Sequence, residues 1–291
     1  MLGSLFIFAA MAATCLGASL QGVTNWGTNP TNITMYIYVP DQLAANPPII
    51  VAIHSCQRDA LNWYNRTTLP SYADANGFIL IYPETPNFNH CWDVHNTATL
   101  THNEGGDALG IINMINYTLS TYNGDSTRVF AMGFSSGGMM TNALAGTYPN
   151  VFEAAAAYSG VAHACSAGSP CSTPFCQNQT CAQGLEHTST EWGNFVRNSY
   201  PGYTEKRPRM MIVHGTNDTL VRPKCAVEAL KQWSEVLGVP FTKNVTGVPS
   251  AEYTQMVYGD GTQLQGYFAE GVGHTSLVNE DIMLRFFGLI A

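Results

Sequence analysis

Gly133-Phe134-Ser135-Ser136-Gly137 has the pattern G-x-S-x-G, with the apolar run Val129-Phe130-Ala131-Met132 before it and Gly138-Met139-Met140-Thr141-Asn142 after it. A serine held between glycines where a strand turns into a helix projects its hydroxyl from a sharp elbow, and the glycines relieve the crowding there. A serine hydroxyl becomes a nucleophile only when a base takes its proton, and histidine has the ordinary pKa for that work. Of eight histidines, His274 lies in Gly271-Val272-Gly273-His274-Thr275, a glycine-rich turn that follows the last strand-like run and precedes a C-terminal helix candidate. It is the expected base. His214 and His54 each close an apolar run and read as structural.

A base of this kind needs a carboxylate to hold its tautomer and to stabilise the imidazolium. Asp218, in His214-Gly215-Thr216-Asn217-Asp218, follows an apolar run and completes the chain order Ser, Asp, His that belongs to α/β-hydrolases. Asp260, in the hairpin-like Tyr258-Gly259-Asp260-Gly261, is the reserve. Developing negative charge on a carbonyl oxygen calls for two backbone N–H groups. One comes from the residue after the nucleophile, Ser136, and one from the loop after an early central strand, which assigns Cys56 in Ser55-Cys56-Gln57.

These residues need a scaffold that places them at one edge. Uninterrupted apolar runs occur at Met35 to Val39, Ile49 to His54, Phe78 to Tyr82, Val129 to Phe134, Ala154 to Tyr158, Met210 to His214 and Leu264 to Phe268. Such runs are strands buried on both faces of a mainly parallel sheet. Helix-period segments lie between them at Asp107 to Tyr122, Gly138 to Tyr148 and Ala226 to Leu237. The alternation predicts an α/β fold with helices on both faces of the sheet. From His163 to Thr188 the periodic signal lapses into Cys, Ser, Pro and Gln, and this loop is expected at the carboxyl edge of the sheet, where α/β proteins bind ligands.

With 291 residues, 45% hydrophobic and 11% charged, the chain can bury one sizeable core. No linker or repeat divides it, which predicts one catalytic domain over residues 19–291. The formal charge of −8 and the lack of a basic run argue against nucleic acid as a partner. Residues 1–18 read as a secretory signal: Leu5 to Ala13 is apolar, and small residues follow at Gly17 and Ala18, although no Lys or Arg precedes them. A short buried segment is the alternative. No later stretch is apolar for long enough to span a bilayer, so no membrane association is expected. Six Asn-x-Ser/Thr sequons occur at Asn32, Asn65, Asn116, Asn178, Asn217 and Asn244. A glycan on Asn217 would crowd Asp218, so that sequon is expected to be unoccupied.

Without Cys15 seven cysteines remain: Cys56, Cys91, Cys165, Cys171, Cys176, Cys181 and Cys225. An odd number leaves one thiol outside any intrachain disulfide. The cluster from Cys165 to Cys181 lacks a Cys-x2-Cys knuckle, which favours disulfides over a metal site.

The sequence resembles the fungal secreted acetylxylan esterases, of the carbohydrate esterase family that also holds feruloyl esterases, with polyhydroxybutyrate depolymerases as more distant kin. The resemblance is carried by Ser19-Leu20-Gln21 with Thr24-Asn25-Trp26-Gly27, Met35-Tyr36-Ile37-Tyr38-Val39-Pro40 and Ile53-His54-Ser55-Cys56. It continues through Cys91-Trp92-Asp93-Val94, Thr101-His102-Asn103, the elbow, Tyr200-Pro201-Gly202-Tyr203 and the turn at His274. It implies an α/β-hydrolase fold, a Ser135, Asp218, His274 triad, an oxyanion hole of Cys56 and Ser136, a disulfide between Cys56 and Cys91, and no cofactor or metal. Cys171 and Cys176 are additions to the pattern. Trp92 and Trp192 are the aromatics expected near the site, where an indole face can stack on a sugar or wall off an acyl pocket; packing in the core is the alternative for each.

These readings converge on a secreted, monomeric serine esterase that removes acetyl groups from xylan. A feruloyl esterase with a larger acyl pocket is the rival, and a cell-wall carbohydrate-binding protein without turnover is the alternative of another class.

Overall fold

The computed structural model describes residues 18–171, 180–275 and 278–291, so the N-terminal signal reading lies outside the described residues. Ten strands form one sheet in the order β1-β2-β4-β3-β5-β6-β7-β10-β9-β8. The strands are β1 (Gln21–Val23), β2 (Thr34–Tyr38), β3 (Ile49–Ile53), β4 (Ile79–Glu84), β5 (Val129–Phe134), β6 (Ala154–Tyr158), β7 (Arg209–Gly215), β8 (Phe241–Thr246), β9 (Tyr253–Tyr258) and β10 (Leu264–Ala269). The six central strands from β4 to β10 are parallel, and antiparallel strands extend the sheet at both edges.

Each apolar run of the sequence lies on one of the strands β2 to β7 or on β10. The reason is burial: every residue of β3, β5 and β6 is buried, so a run of Ile, Val, Ala and Phe needs no polar alternation. Strand β8 escaped that signal because it is an edge strand whose sequence Phe-Thr-Lys-Asn-Val-Thr is exposed along most of its length. Both edges of the sheet are thus made by strands that present polar or charged side chains, which blunts edge-to-edge pairing.

Helices cover both faces. One core packs α3 (Gly106–Tyr122), α4 (Ser136–Thr147), α5 (Ser189–Ser199) and α6 (Lys224–Leu237) against the sheet, and the other packs α1 (Ala60–Arg66), α2 (Leu69–Asn76) and α7 (Glu280–Phe287). The ends of these helices are set by local chemistry. A capping box of Thr188 and Glu191 opens α5, immediately after the aperiodic stretch. Asn279 caps α7, and Gly288 ends it in the left-handed region. Among the described residues no helix is long and apolar enough to cross a membrane.

The aperiodic stretch is tied down where it is described. A disulfide joins Cys165 to Cys181. Gly168 N–H donates to the His95 carbonyl, and Arg222 N–H to the Ala182 carbonyl, which anchors the stretch to loops that leave the carboxyl ends of β4 and β7. Cys171 is also disulfide-bonded, while Cys176 and the sequon at Asn178 lie outside the described residues.

Candidate active site

Strand β5 ends at Phe134 and helix α4 begins at Ser136, so Ser135 alone makes the turn, with φ 56° and ψ −119°. A non-glycine residue at positive φ is strained, and the surroundings over-determine it. Ser135 N–H donates to the Tyr158 carbonyl at 2.8 Å, and its own carbonyl accepts from Met139 N–H at 2.9 Å. The glycines are required by close approach: a Cβ on Gly133 would lie 2.4 Å from the Gly137 carbonyl oxygen, and one on Gly137 would lie 2.2 Å from the Ile53 carbonyl oxygen. The elbow therefore packs backbone against backbone between β3 and β6.

His274 reaches the elbow from the turn after β10. That turn is stitched to the end of β7 by Asn217 N–H donating to the Val272 carbonyl and Gly271 N–H donating to the Thr216 hydroxyl. The Ser135 hydroxyl lies 2.9 Å from His274 Nε2, and His274 Nδ1 lies 2.7 Å from Asp218 Oδ2. The network assigns the tautomer: Nδ1–H donates to the carboxylate, which leaves Nε2 free to accept the serine proton. Phe134 packs on the imidazole at 5.1 Å between ring centres.

Asp218 is buried and accepts four donors. Oδ1 takes the N–H groups of Leu220 and Val221, each at 2.9 Å, while Oδ2 takes His274 and, at 3.2 Å, Nε2 of His214. Burial by itself would raise its pKa, but the hydrogen bonds from His214 and His274, the His274 charge and the Val221 N–H outweigh it and hold the carboxyl well below the usual range. Asp260, the reserve carboxylate, lies in the turn between β9 and β10, at the end of β10 opposite to the one that leads to His274. Its Oδ1 accepts from the N–H and the hydroxyl of Thr262.

Cys56 and Cys91 form a disulfide. The bridge ties the loop after β3 to the loop after β4, and Gln57 N–H reinforces it by donating to the Asn89 carbonyl at 2.7 Å. Ser136 occupies the first position of α4, where a helix leaves its N–H groups without intrahelical partners. Ser136 follows Ser135 directly, and Cys56 lies in the loop after β3, the strand paired with β5. Among the described residues no cluster of His, Cys, Asp or Glu could hold a metal ion.

Two expectations need correction. Trp92 and Trp192 are both fully buried, so neither offers an indole face to a sugar. Trp92 spends its polar atoms on the scaffold, with backbone N–H to the Ser136 hydroxyl and indole N–H to the His54 carbonyl. Trp192 lies in α5 and donates its indole N–H to Glu228 of α6 at 2.6 Å. The sequence showed two aromatics but not the polar partners that claim them. His214, read as structural, contacts Asp218; the signal was its position four residues before that carboxylate within one turn. Asn217 is exposed beside Asp218.

The sequence model of the family described as esterase PHB depolymerase matches residues 33–251, three quarters of the chain, including the elbow and Asp218. The chain belongs to the esterase PHB depolymerase family. It is a carboxylic ester hydrolase, and the α/β-hydrolase fold agrees. The chain is 67% identical to the feruloyl esterase B of Thermothelomyces thermophilus, over 97% of each chain. It is 66% identical to the feruloyl esterase B of Neurospora crassa, again over 97% of each. The solved acetyl xylan esterase from Aspergillus awamori is 43% identical and superimposes with a TM-score of 0.89, over 94% of this chain and 100% of that one.

Proposed function

We propose that this member of the family is a secreted serine esterase that removes acyl groups esterified to plant xylan, with Ser135, His274 and Asp218 as its catalytic residues. The observation that carries the reading is the unbroken chain of hydrogen bonds from the Ser135 hydroxyl through His274 to Asp218. Ser135 Oγ attacks the ester carbonyl while His274 Nε2 takes its proton. The tetrahedral oxyanion is held by the N–H groups of Ser136 and Cys56, whose positions the disulfide and the first turn of α4 support. As the bond to the sugar oxygen breaks, His274 gives its proton to that oxygen and the sugar leaves as the alcohol; the acyl-enzyme is then hydrolysed by water activated at the same nitrogen.

Two acyl groups suit this machinery. The likeness to the solved acetyl xylan esterase supports acetate. The higher identity to the two feruloyl esterases B, over nearly the whole chain, favours ferulate and gives that reading the greater weight. Export through an oxidising compartment is supported by the disulfides Cys56–Cys91 and Cys165–Cys181.

The test compares acetate release from acetylated xylan with hydrolysis of methyl ferulate, for the wild type and for Ser135→Ala. Turnover of either substrate by the wild type alone, with a fluorophosphonate labelling Ser135, is the expected result and names the acyl group. Turnover retained in Ser135→Ala, or none in the wild type, would overturn the reading.

A further inference from the structure

His214 is the penultimate residue of β7, opposite Phe268 of β10, and it has no exposed surface. Its Nε2 faces two acceptors, the Val221 carbonyl at 2.8 Å and Asp218 Oδ2 at 3.2 Å. Only a protonated Nε2 satisfies both. Among the described residues Nδ1 is buried without a hydrogen-bond partner, so a second proton there would create a buried donor with nowhere to go. Nε2 therefore carries a proton, and it is shared between a carbonyl and a carboxylate.

That proton matters because of where it points. The two amides of Leu220 and Val221 fix Oδ1 of Asp218, but Oδ2 is shared between two imidazoles, His274 on the solvent side and His214 from within the core. Without His214, Oδ2 would have a single partner, the same histidine that it must orient. We infer that His214 is a positioning residue: its Nε2–H pins Asp218 Oδ2 against the Val221 turn, so that the carboxylate meets His274 at a fixed angle with part of its charge already shared. The inference rests on the catalytic reading of Ser135, His274 and Asp218. It places His214 outside contact with any substrate, since it acts through Asp218 alone.

Three substitutions of the full chain separate this role from mere packing. In His214→Gln the amide nitrogen falls where the imidazole carries Nε2 and can still donate to Asp218, whereas in His214→Asn it falls at the Nδ1 position and cannot. His214→Leu fills the space with no donor. The Asn and Leu variants are expected to lose about 10- to 100-fold in kcat, with KM within about twofold of the wild type. The acid limb of kcat/KM should move to higher pH in both. Oδ2 relieved of the His214 donor is the stronger base and stabilises the His274 imidazolium; the buried Cys225 thiol is the other titratable group that senses the Asp218 charge. His214→Gln should restore most of the rate and the position of the limb.

A His214→Asn variant equal to the wild type in both would overturn the inference, and so would a folded His214→Gln as impaired as His214→Asn. If the Leu variant does not fold, the comparison of Gln with Asn stands by itself. A second readout is the downfield NMR resonance of the His274 Nδ1 proton, followed in the same variants. It should shift in His214→Asn and return in His214→Gln, and an unshifted signal counts against the inference. Because this signal does not need turnover, a wild type that fails to hydrolyse esters would sink the functional reading while leaving the role of His214 to be decided by the spectrum.

Discussion

The backbone N–H of Trp92 donates to the hydroxyl of Ser136 at 2.9 Å, and the indole N–H of the same residue donates to the His54 carbonyl at 2.8 Å. One buried residue, through its backbone and its side chain, thereby links the end of β3, the loop that carries the Cys56–Cys91 bridge and the first turn of α4. These are the segments that bear both proposed oxyanion donors. Trp92→Phe retains an aromatic ring in the core but removes the indole donor, leaving the buried His54 carbonyl short of a partner. The expected result is a fall in kcat of about tenfold with KM within about twofold, measured on a soluble aryl ester. A kcat equal to that of the wild type would show that the indole bond does not hold these segments in place.

Two carboxylates competed for one role on sequence, and the strand directions separate them. Asp218 follows the carboxyl end of β7, on the edge where Ser135 follows β5, whereas Asp260 sits before β10 at the other end. Asp218→Asn should lower kcat by about 10⁴-fold, because an amide favours the wrong His274 tautomer. Asp260→Asn removes the charge but keeps an oxygen that can accept from Thr262, and it should leave kcat within about twofold. Steady-state kinetics on purified variants decide between them.

Ser135, Asp218 and His274 were legible in sequence because each follows a strand whose burial is written as an uninterrupted apolar run, and because glycines or turn residues announce the exit from that strand. Strands β1, β8 and β9 were not legible. β8 earns its place by pairing with β9 rather than by burial, so its polar sequence carries no periodic mark. The partners of the buried polar groups were equally hidden. Trp192 meets Glu228 across 36 positions of chain, and no local pattern reports a contact between two separate helices. His214 is the intermediate case, since its spacing to Asp218 was visible and its direction was not.

Two buried histidines make the fold acid-sensitive. Burial lowers His54 to about 4, with partial compensation from the Ser55 carbonyl, and burial with the nearby Arg207 charge lowers His163 to about 3. Below pH 6.5 the unfolded chain takes up protons that these rings refuse, so stability is complete above that value and falls as the pH drops. The loss from His54 ends near pH 4 and amounts to about 3 kcal/mol. That from His163 continues towards pH 3. His163 bonds Ser199 through Nε2, and a glutamine can keep that bond without the titration. Melting temperatures from pH 7 to pH 4 should fall less steeply for His163→Gln than for the wild type. Equal slopes would mean that His163 is already charged in the folded state.

Cys225 gives the odd cysteine a physical account. It is the free cysteine among the described residues, it is buried in α6, and its thiol donates to the carbonyls of Cys181 and Ala182 at 3.2 and 3.4 Å. Burial pushes its pKa up to about 12, with the Asp218 charge adding to the rise and backbone hydrogen bonds opposing it. A thiol held protonated and out of water is a poor nucleophile on both counts. Iodoacetamide at pH 8 should therefore leave the native protein unlabelled, and denaturation without reductant should expose one reactive thiol per mature chain. Labelling of the native protein at the rate of a free cysteine would show that the segment closed by Cys165 and Cys181 lifts off α6 in solution. The same experiment then becomes a probe of that motion, because the carbonyls that cover Cys225 belong to this segment.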